Sequence, residues 1–168
     1  MRAATGIGFS PLLALQSYIV QVVKPFRQCA AVILTDDRGR VLLLWQPRQS
    51  YGLPGGVVES GETPPQAAIR EAREEIGVDV KLEYLVGMYH LRGGGWPDIF
   101  ASVYKACVVS GKPCAADLNE VERLEWVSSG AVPNPISTDA RVAIPDFYAG
   151  KRGVVGEVWR EGVVPWTG

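Results

Sequence analysis

The stretch from Leu53 to Gly77 constrains the fold of this chain most, because it joins a segment that cannot be helical to one that can hardly be anything else. Leu53-Pro54-Gly55-Gly56-Val57-Val58, closed by Ser60-Gly61, carries too much backbone punctuation for a helix and reads as a loop. Thr63 then offers a cap, Pro64 suits the first helical position, and Gln66 falls three after Thr63 as in a capping box. Gly77 stands where a left-handed residue ends a helix. The spacing predicts a helix over Pro64 to Ile76. With 19 Gly and 12 Pro in 168 residues, the remaining elements must be short and frequently turned, which excludes a helical bundle or coiled coil. Cys29 to Leu34 and Val41 to Trp45 are apolar runs separated by Thr35-Asp36-Asp37-Arg38-Gly39-Arg40, and read as a hairpin or two adjacent strands. Val78 to Met88 mixes strand residues with charges, Leu91 to Asp98 is a loop built on Gly93-Gly94-Gly95, and Ile99 to Val109 is a strand. A mixed segment, Glu120 to Val127, precedes a helix over Ala140 to Ala149 interrupted at Pro145. Strands on both sides of a helix followed by a second helix give the α/β (α+β) class, a mixed sheet sandwiched between helices.

Charge and cysteine content narrow the functional classes. The net charge is -1, so no basic field is available for a stable nucleic-acid complex. Cys29, Cys107 and Cys114 are odd in number and widely spaced, which excludes a disulfide framework and a cysteine zinc site and suits a reducing cytoplasm. Residues 3–23 carry no charge, long enough to invite a membrane reading, but Gly6, Gly8, Pro11, Gln16, Ser17 and Gln21 argue against a span. The stripe Ser10, Ala14, Ser17, Gln21, Lys24 recurs at helical spacing, so the segment reads as an apolar helix covering the core or a second subunit, which leaves a homodimer open. The expected partition is an N-terminal extension over 1–28, a main domain over 29–150 and a C-terminal tail over 151–168.

On a helical wheel Ile69, Ala72 and Ile76 fall on one side of the predicted helix and Glu71, Glu74 and Glu75 on the other. Clustered carboxylates repel by a few tenths of a kcal/mol per pair. Arg70 and Arg73 are placed to offset that, and an ordinary solvated face is one reading. The other is a hard-cation site, since Mg²⁺ is held by one or two carboxylates together with substrate phosphates.

The wider constellation favours the second reading. Gly56, Glu62, Arg70, Glu71, Glu74, Glu75 and Gly77 resemble, at every fixed position, the Nudix hydrolase signature G-x5-E-x7-R-E-U-x-E-E-x-G-U, where U is a bulky aliphatic. Ala72 is smaller than the usual U residue. The resemblance spans about Cys29 to Val127. It implies a Nudix-like fold, with metal held by Glu71, Glu74, Glu75 and the Gly56 carbonyl, Arg70 orienting the carboxylates and Glu62 bracing the loop. Glu74 and Glu120 are implied as catalytic candidates alongside Arg70. In some relatives a glutamate six before a Trp is a ligand or general base, and Glu120 stands six before Trp126; Glu122 and Glu125 are its rivals. The activity implied is Mg²⁺-dependent (Mn²⁺ substituting) cleavage of a diphosphate linkage in a nucleoside diphosphate joined to another group. Triphosphate hydrolysis releasing diphosphate, and nucleotide sensing without cleavage, are the alternatives. The partner expected is a small nucleotide-type substrate, with no membrane. Arg48, Tyr51 and Trp96 are the candidate substrate contacts, with His90, Arg92, Asp98 and Trp45 read primarily as surface or packing residues.

Overall fold

The computed structural model describes residues 26–160. The apolar N-terminal segment, with its helix, membrane and dimer readings, lies outside these residues. Among those described, no helix is long and apolar enough to cross a membrane. The architecture is the expected mixed α+β sandwich: two sheets and two main helices. The larger sheet has five strands in the order β4-β1-β6-β5-β8, comprising β1 (Phe26–Ile33), β4 (Gly55–Val57), β5 (Asp79–Arg92), β6 (Asp98–Ser110) and β8 (Val154–Trp159). A smaller sheet, β3-β2-β7, is made of β2 (Val41–Gln46), β3 (Ser50–Gly52) and β7 (Arg123–Val127). Helix α1 (Pro64–Ile76) and helix α2 (Thr138–Tyr148) complete the layers.

The first two strands correct the hairpin expected of them. Thr35, just beyond β1, makes an isolated bridge with Val41, and the two strands then part into different sheets. The cause is in β2 itself, where Val41-Leu42-Leu43-Leu44 leaves no face for solvent. Leu42 and Leu44 pack beneath α1, whereas Val41 and Leu43 pack in the cluster under α2. An all-apolar run is most stable between two layers, at about 1.5–3 kcal/mol per buried side chain. The lead-in to α1 contains a short strand where a loop is expected: Gly55 and Gly56 lie opposite Ala31 and Ala30 of β1. A Cβ on Gly55 would lie 2.6 Å from the Ala31 Cβ.

Helix α1 begins and ends where its caps place it. Thr63 N–H donates to Gln66 Oε1 at 2.8 Å, and Gly77, at φ 67°, donates its N–H to the Arg73 carbonyl at 3.0 Å. Gly77→Ala is expected to cost about 1–2 kcal/mol, from the left-handed backbone and from a Cβ 3.3 Å from Cys114 Sγ. Urea unfolding with an unchanged m-value checks this. The two-sided wheel is corrected as well, since the buried arc is Ala67, Ala68, Glu71, Ala72, Glu75 and Ile76. Three alanines bring the helix close to the sheet and carry two glutamates inward with them, while Glu74 stays exposed.

Strand β5 runs on to Arg92, so the glycine loop shrinks to residues 93–97, with Gly93, Gly94 and Gly95 all at positive φ. Helix α2 starts earlier than expected and continues through Pro145, whose carbonyl still accepts from Ala149 N–H at 2.9 Å. Strand β8 lies in the stretch read as a tail. It pairs in parallel with β5, from Gly87 opposite Val154 to Arg92 opposite Trp159.

Candidate active site

The site forms where the Gly55–Gly56 strand, the inward edge of α1 and the loop before β7 converge. Glu71, Glu75 and Glu120 each place a carboxylate oxygen within 4.8 Å of the others. Glu71 is 8% exposed and Glu75 3%, while Glu120 is open to solvent. Loop 114–121 is docked by the free end of α1, whose Glu75 and Ile76 carbonyls accept from Ala116 and Cys114 N–H at 3.0 and 3.1 Å. Buried Val121 anchors that loop's end. This docking, rather than any local pattern, brings Glu120 to the helix.

Each inward carboxylate is held. Gly55 N–H donates to Glu75 Oε2 at 2.7 Å. Arg70 forks across the rest: Nε and Nη2 donate to Glu62 at 3.0 and 3.1 Å, Nη1 to both Glu71 and Glu74 at 2.9 Å, and Nη2 to the Val57 carbonyl at 3.1 Å. Glu62 also accepts from Glu59 N–H at 3.0 Å, closing the loop before the helix. Gly56 lies against Glu71, and a Cβ there would collide with that carboxylate. The charges are strained accordingly. Burial pushes Glu75 up to about 8, opposed by the Gly55 hydrogen bond and reinforced by Glu71, Glu120 and Asp117. Burial also raises Glu71, against the pull of Arg70. Arg70 holds Glu62 well below the usual carboxylate range, and its own guanidinium is correspondingly stabilised as a cation. Three carboxylates, two of them desolvated, converge here, and Arg70 is paired with Glu71 alone of the three; such a set of oxygen donors is what a hard divalent ion takes.

The acidic cluster opens into a cavity of about 580 Å³ lined also by Gln46, Pro47, Arg48, Val57 and Asn119. A second cavity, of about 250 Å³, shares Gln46, Arg48, Gly55 and Gly56 with it. The second cavity is walled by apolar Ala31, Leu53, Leu91, Ile99 and Ala101. Polar groups enter it from Cys29, from Ser137 and Asp139 at the start of α2, and from Arg160. Burial, with nearby Asp139, pushes the Cys29 thiol up to about 11, so it stays protonated.

Of the sequence candidates, Gly56, Arg70, Glu71, Glu75 and Glu120 come together here, and Glu74 sits on the rim, tied to Arg70. Glu120 is distinguished from its rivals: Glu125 accepts from Tyr51 Oη at 2.6 Å, and Glu122 sits beside β2, its N–H on the Trp45 carbonyl at 2.9 Å. Arg48 lines both cavities. Tyr51 packs edge-on against Trp45 in the core, with Arg123 donating to its oxygen at 3.1 Å, and lines neither. Trp96 lines a separate cavity with Arg92, Asp98 and Trp159. Gln46, Asn119, Ser137, Asp139 and Arg160 carried no sequence signal, because they come from turns, a helix start and a strand end far apart along the chain.

The NUDIX domain family profile matches residues 25–147. A Bacillus subtilis protein named, provisionally, an 8-oxo-dGTP diphosphatase is 30% identical over 139 residues, covering 77% of this chain and 85% of that protein. An ADP-ribose pyrophosphatase of Methanocaldococcus jannaschii is 30% identical over 109 residues, covering 61% of this chain and 60% of the relative. Among solved structures, a MutT NUDIX hydrolase from Burkholderia pseudomallei superposes with a TM-score of 0.67 at 28% identity, covering 73% of this chain and 98% of that one.

Proposed function

Because the chain belongs to the Nudix hydrolase family and is a pyrophosphohydrolase-type enzyme, we propose that it uses Mg²⁺ to cleave the diphosphate linkage of a nucleoside diphosphate joined to a second group. One observation carries this reading: the acidic cavity and the apolar cavity meet along Gln46, Arg48, Gly55 and Gly56. A diphosphate lying over that shared wall would face the carboxylates while an organic group on either side has a cavity to enter.

Glu71, Glu75, Glu120 and the Gly56 carbonyl would hold the cation. A Mg²⁺ held by these groups would neutralise phosphate charge and make the attacking water more acidic. The chain's own residues supply the rest. Arg70 keeps Glu71 and Glu74 in place while its charge is satisfied by Glu62. Gly55 N–H fixes the Glu75 carboxylate. Glu120, the solvent-open member of the trio, would accept the proton of the attacking water. Glu74, on the rim, is the second candidate for that role. Arg48, which lines both cavities, would contact the phosphates, where its planar fork suits bidentate contact.

Arg48→Ala is therefore expected to raise KM about tenfold or more with kcat changed far less, because phosphate binding common to ground and transition states is lost. Steady-state kinetics on one substrate decides this. The substrate class is tested by product analysis on a panel containing ADP-ribose, NADH, a UDP-sugar, dGTP and 8-oxo-dGTP. The proposal requires the first three to yield a nucleoside monophosphate and a phosphorylated partner with the higher kcat/KM. Preferential release of diphosphate from the triphosphates is the outcome that the name of the Bacillus subtilis relative favours, and it would replace this reading.

A further inference from the structure

Helix α1 covers only part of one face of the larger sheet. It lies over Ala30 and Val32 of β1 and Tyr104 and Ala106 of β6, and beyond them the same face continues bare. Register fixes the bare part. Met88 and Val155 lie side by side across β5 and β8, next to buried Ser102 of β6; Gln28, Phe100, His90 and Glu157 form the next row across four strands. Phe26 beside Asp98, and Arg92 beside Trp159, form the last. Since alternate residues share a face, these side chains present one surface. Val155 is 81% exposed and Trp159 58%, and Phe26 and Met88 are exposed as well. Aromatic packing makes the surface continuous: Phe26 lies edge-on to Phe100 at 5.5 Å, Phe100 stacks on His90 at 4.3 Å, and Arg92 lies over Trp159 at 4.9 Å.

We propose that this face is covered by the chain's own N-terminal segment, residues 1–25. Three observations select that occupant. Residue 26, where the described fold begins, is itself part of the face, so the segment is tethered at its edge and acts at a high effective concentration. The charges of the face are already paired within it: Arg92 with Glu157 at 3.2 Å and Asp98 at 3.5 Å, and His90 with Asp98 at 3.1 Å. What the face needs is apolar contact, and residues 3–23 carry no charge while Leu12, Leu15, Ile19 and Val22 recur at helical spacing. Size agrees too. Four strands about 4.8 Å apart and three rows about 7 Å apart make a patch that one helix of about 13 residues, about 20 Å long and 10 Å wide, would span. A second copy would need about 800 Å² on each partner for a stable dimer, more than this patch offers.

The chain's two methionines are Met1 and Met88, so peroxide oxidation of Met88, followed by peptide mass spectrometry on the full chain, reads the cover directly. Met88 is expected to oxidise about tenfold more slowly in the native chain than in a Leu15→Glu/Ile19→Glu variant, at every protein concentration. Turnover unchanged from the native chain shows that the catalytic fold of the variant is intact; if it is not, Leu12→Glu alone serves in its place. Equal rates in native chain and variant overturn the proposal. So does protection that appears only as concentration rises, which would place a second copy on the face, and so does protection that persists in the variant, which would place residues 161–168 there.

Discussion

Glu75→Gln is expected to lower turnover by about three orders of magnitude while raising the stability of the metal-free protein. The two effects share one cause. Glu75 is almost wholly buried and accepts one hydrogen bond, from Gly55 N–H, which a glutamine oxygen can also accept. Its ionised form is disfavoured by burial and by Glu71, Glu120 and Asp117, so its pKa stands near 8 against 4.5 for an ordinary glutamate. Between those values the folded chain binds protons that the unfolded chain has released. The stability this group confers is therefore complete below about pH 4.5 and is lost as pH rises through about 8. Glu71 is raised in the same direction. Thermal unfolding in chelator should show native stability falling across that window and the Gln variant falling less. A variant less stable than the native chain above about pH 8 would show that Glu75 is held by favourable contacts rather than kept in waiting for a cation.

Gly56→Ala should be nearly as damaging to catalysis through geometry alone. The added Cβ would lie 2.6 Å from the Glu71 carboxyl carbon, and that carboxylate is buried and held by Arg70 at 2.9 Å. It cannot yield without breaking the Arg70 fork, so the expected losses are about a hundredfold or more in kcat and about 1–3 kcal/mol in stability. Gly39→Ala makes the comparison clean. Gly39 has φ 73° but no atom within 4 Å of its added Cβ, so it should cost about 1 kcal/mol of backbone strain and leave kinetics unchanged. Parallel kinetics and urea unfolding separate the two; an active Gly56→Ala enzyme would mean that Glu71 is free to move.

What was legible in the sequence is what is encoded locally. The caps of α1 act within a few residues of the helix ends, so both boundaries could be read to the residue. The fixed spacing from Gly56 to Gly77 identifies the acid cluster because a helix and its lead-in loop hold those residues together wherever the helix packs. Pairing across the chain was not legible. The turn after β1 looks like a hairpin turn, and only the need of Val41–Leu44 to be buried on both faces sends β2 to another sheet. Strand β8 has Gly153 before it and Gly156 within it, which weakens its pattern, and its place is set by β5. The wheel separated apolar residues from acids, but small alanines let the helix roll onto the sheet with Glu71 and Glu75 inward. Apart from Gly55 and Gly56, the apolar cavity has no sequence signature, since its walls come from β1, the end of β2 and the turn after it, β3, β5, β6, the start of α2 and Arg160.

Diphosphate cleavage should depend on a divalent cation held by Glu71, Glu75 and Glu120. Calorimetric titration of the metal-free protein with Mg²⁺ at about pH 7, in two buffers of different ionisation enthalpy, reads this dependence, because a carboxyl with a pKa of about 8 must shed its proton to become a ligand. Saturable binding with roughly one proton released per cation is expected, with loss of both the proton release and most of the affinity in Glu75→Gln. Binding of equal affinity in the native and Glu75→Gln proteins, with no proton released in either, would contradict it.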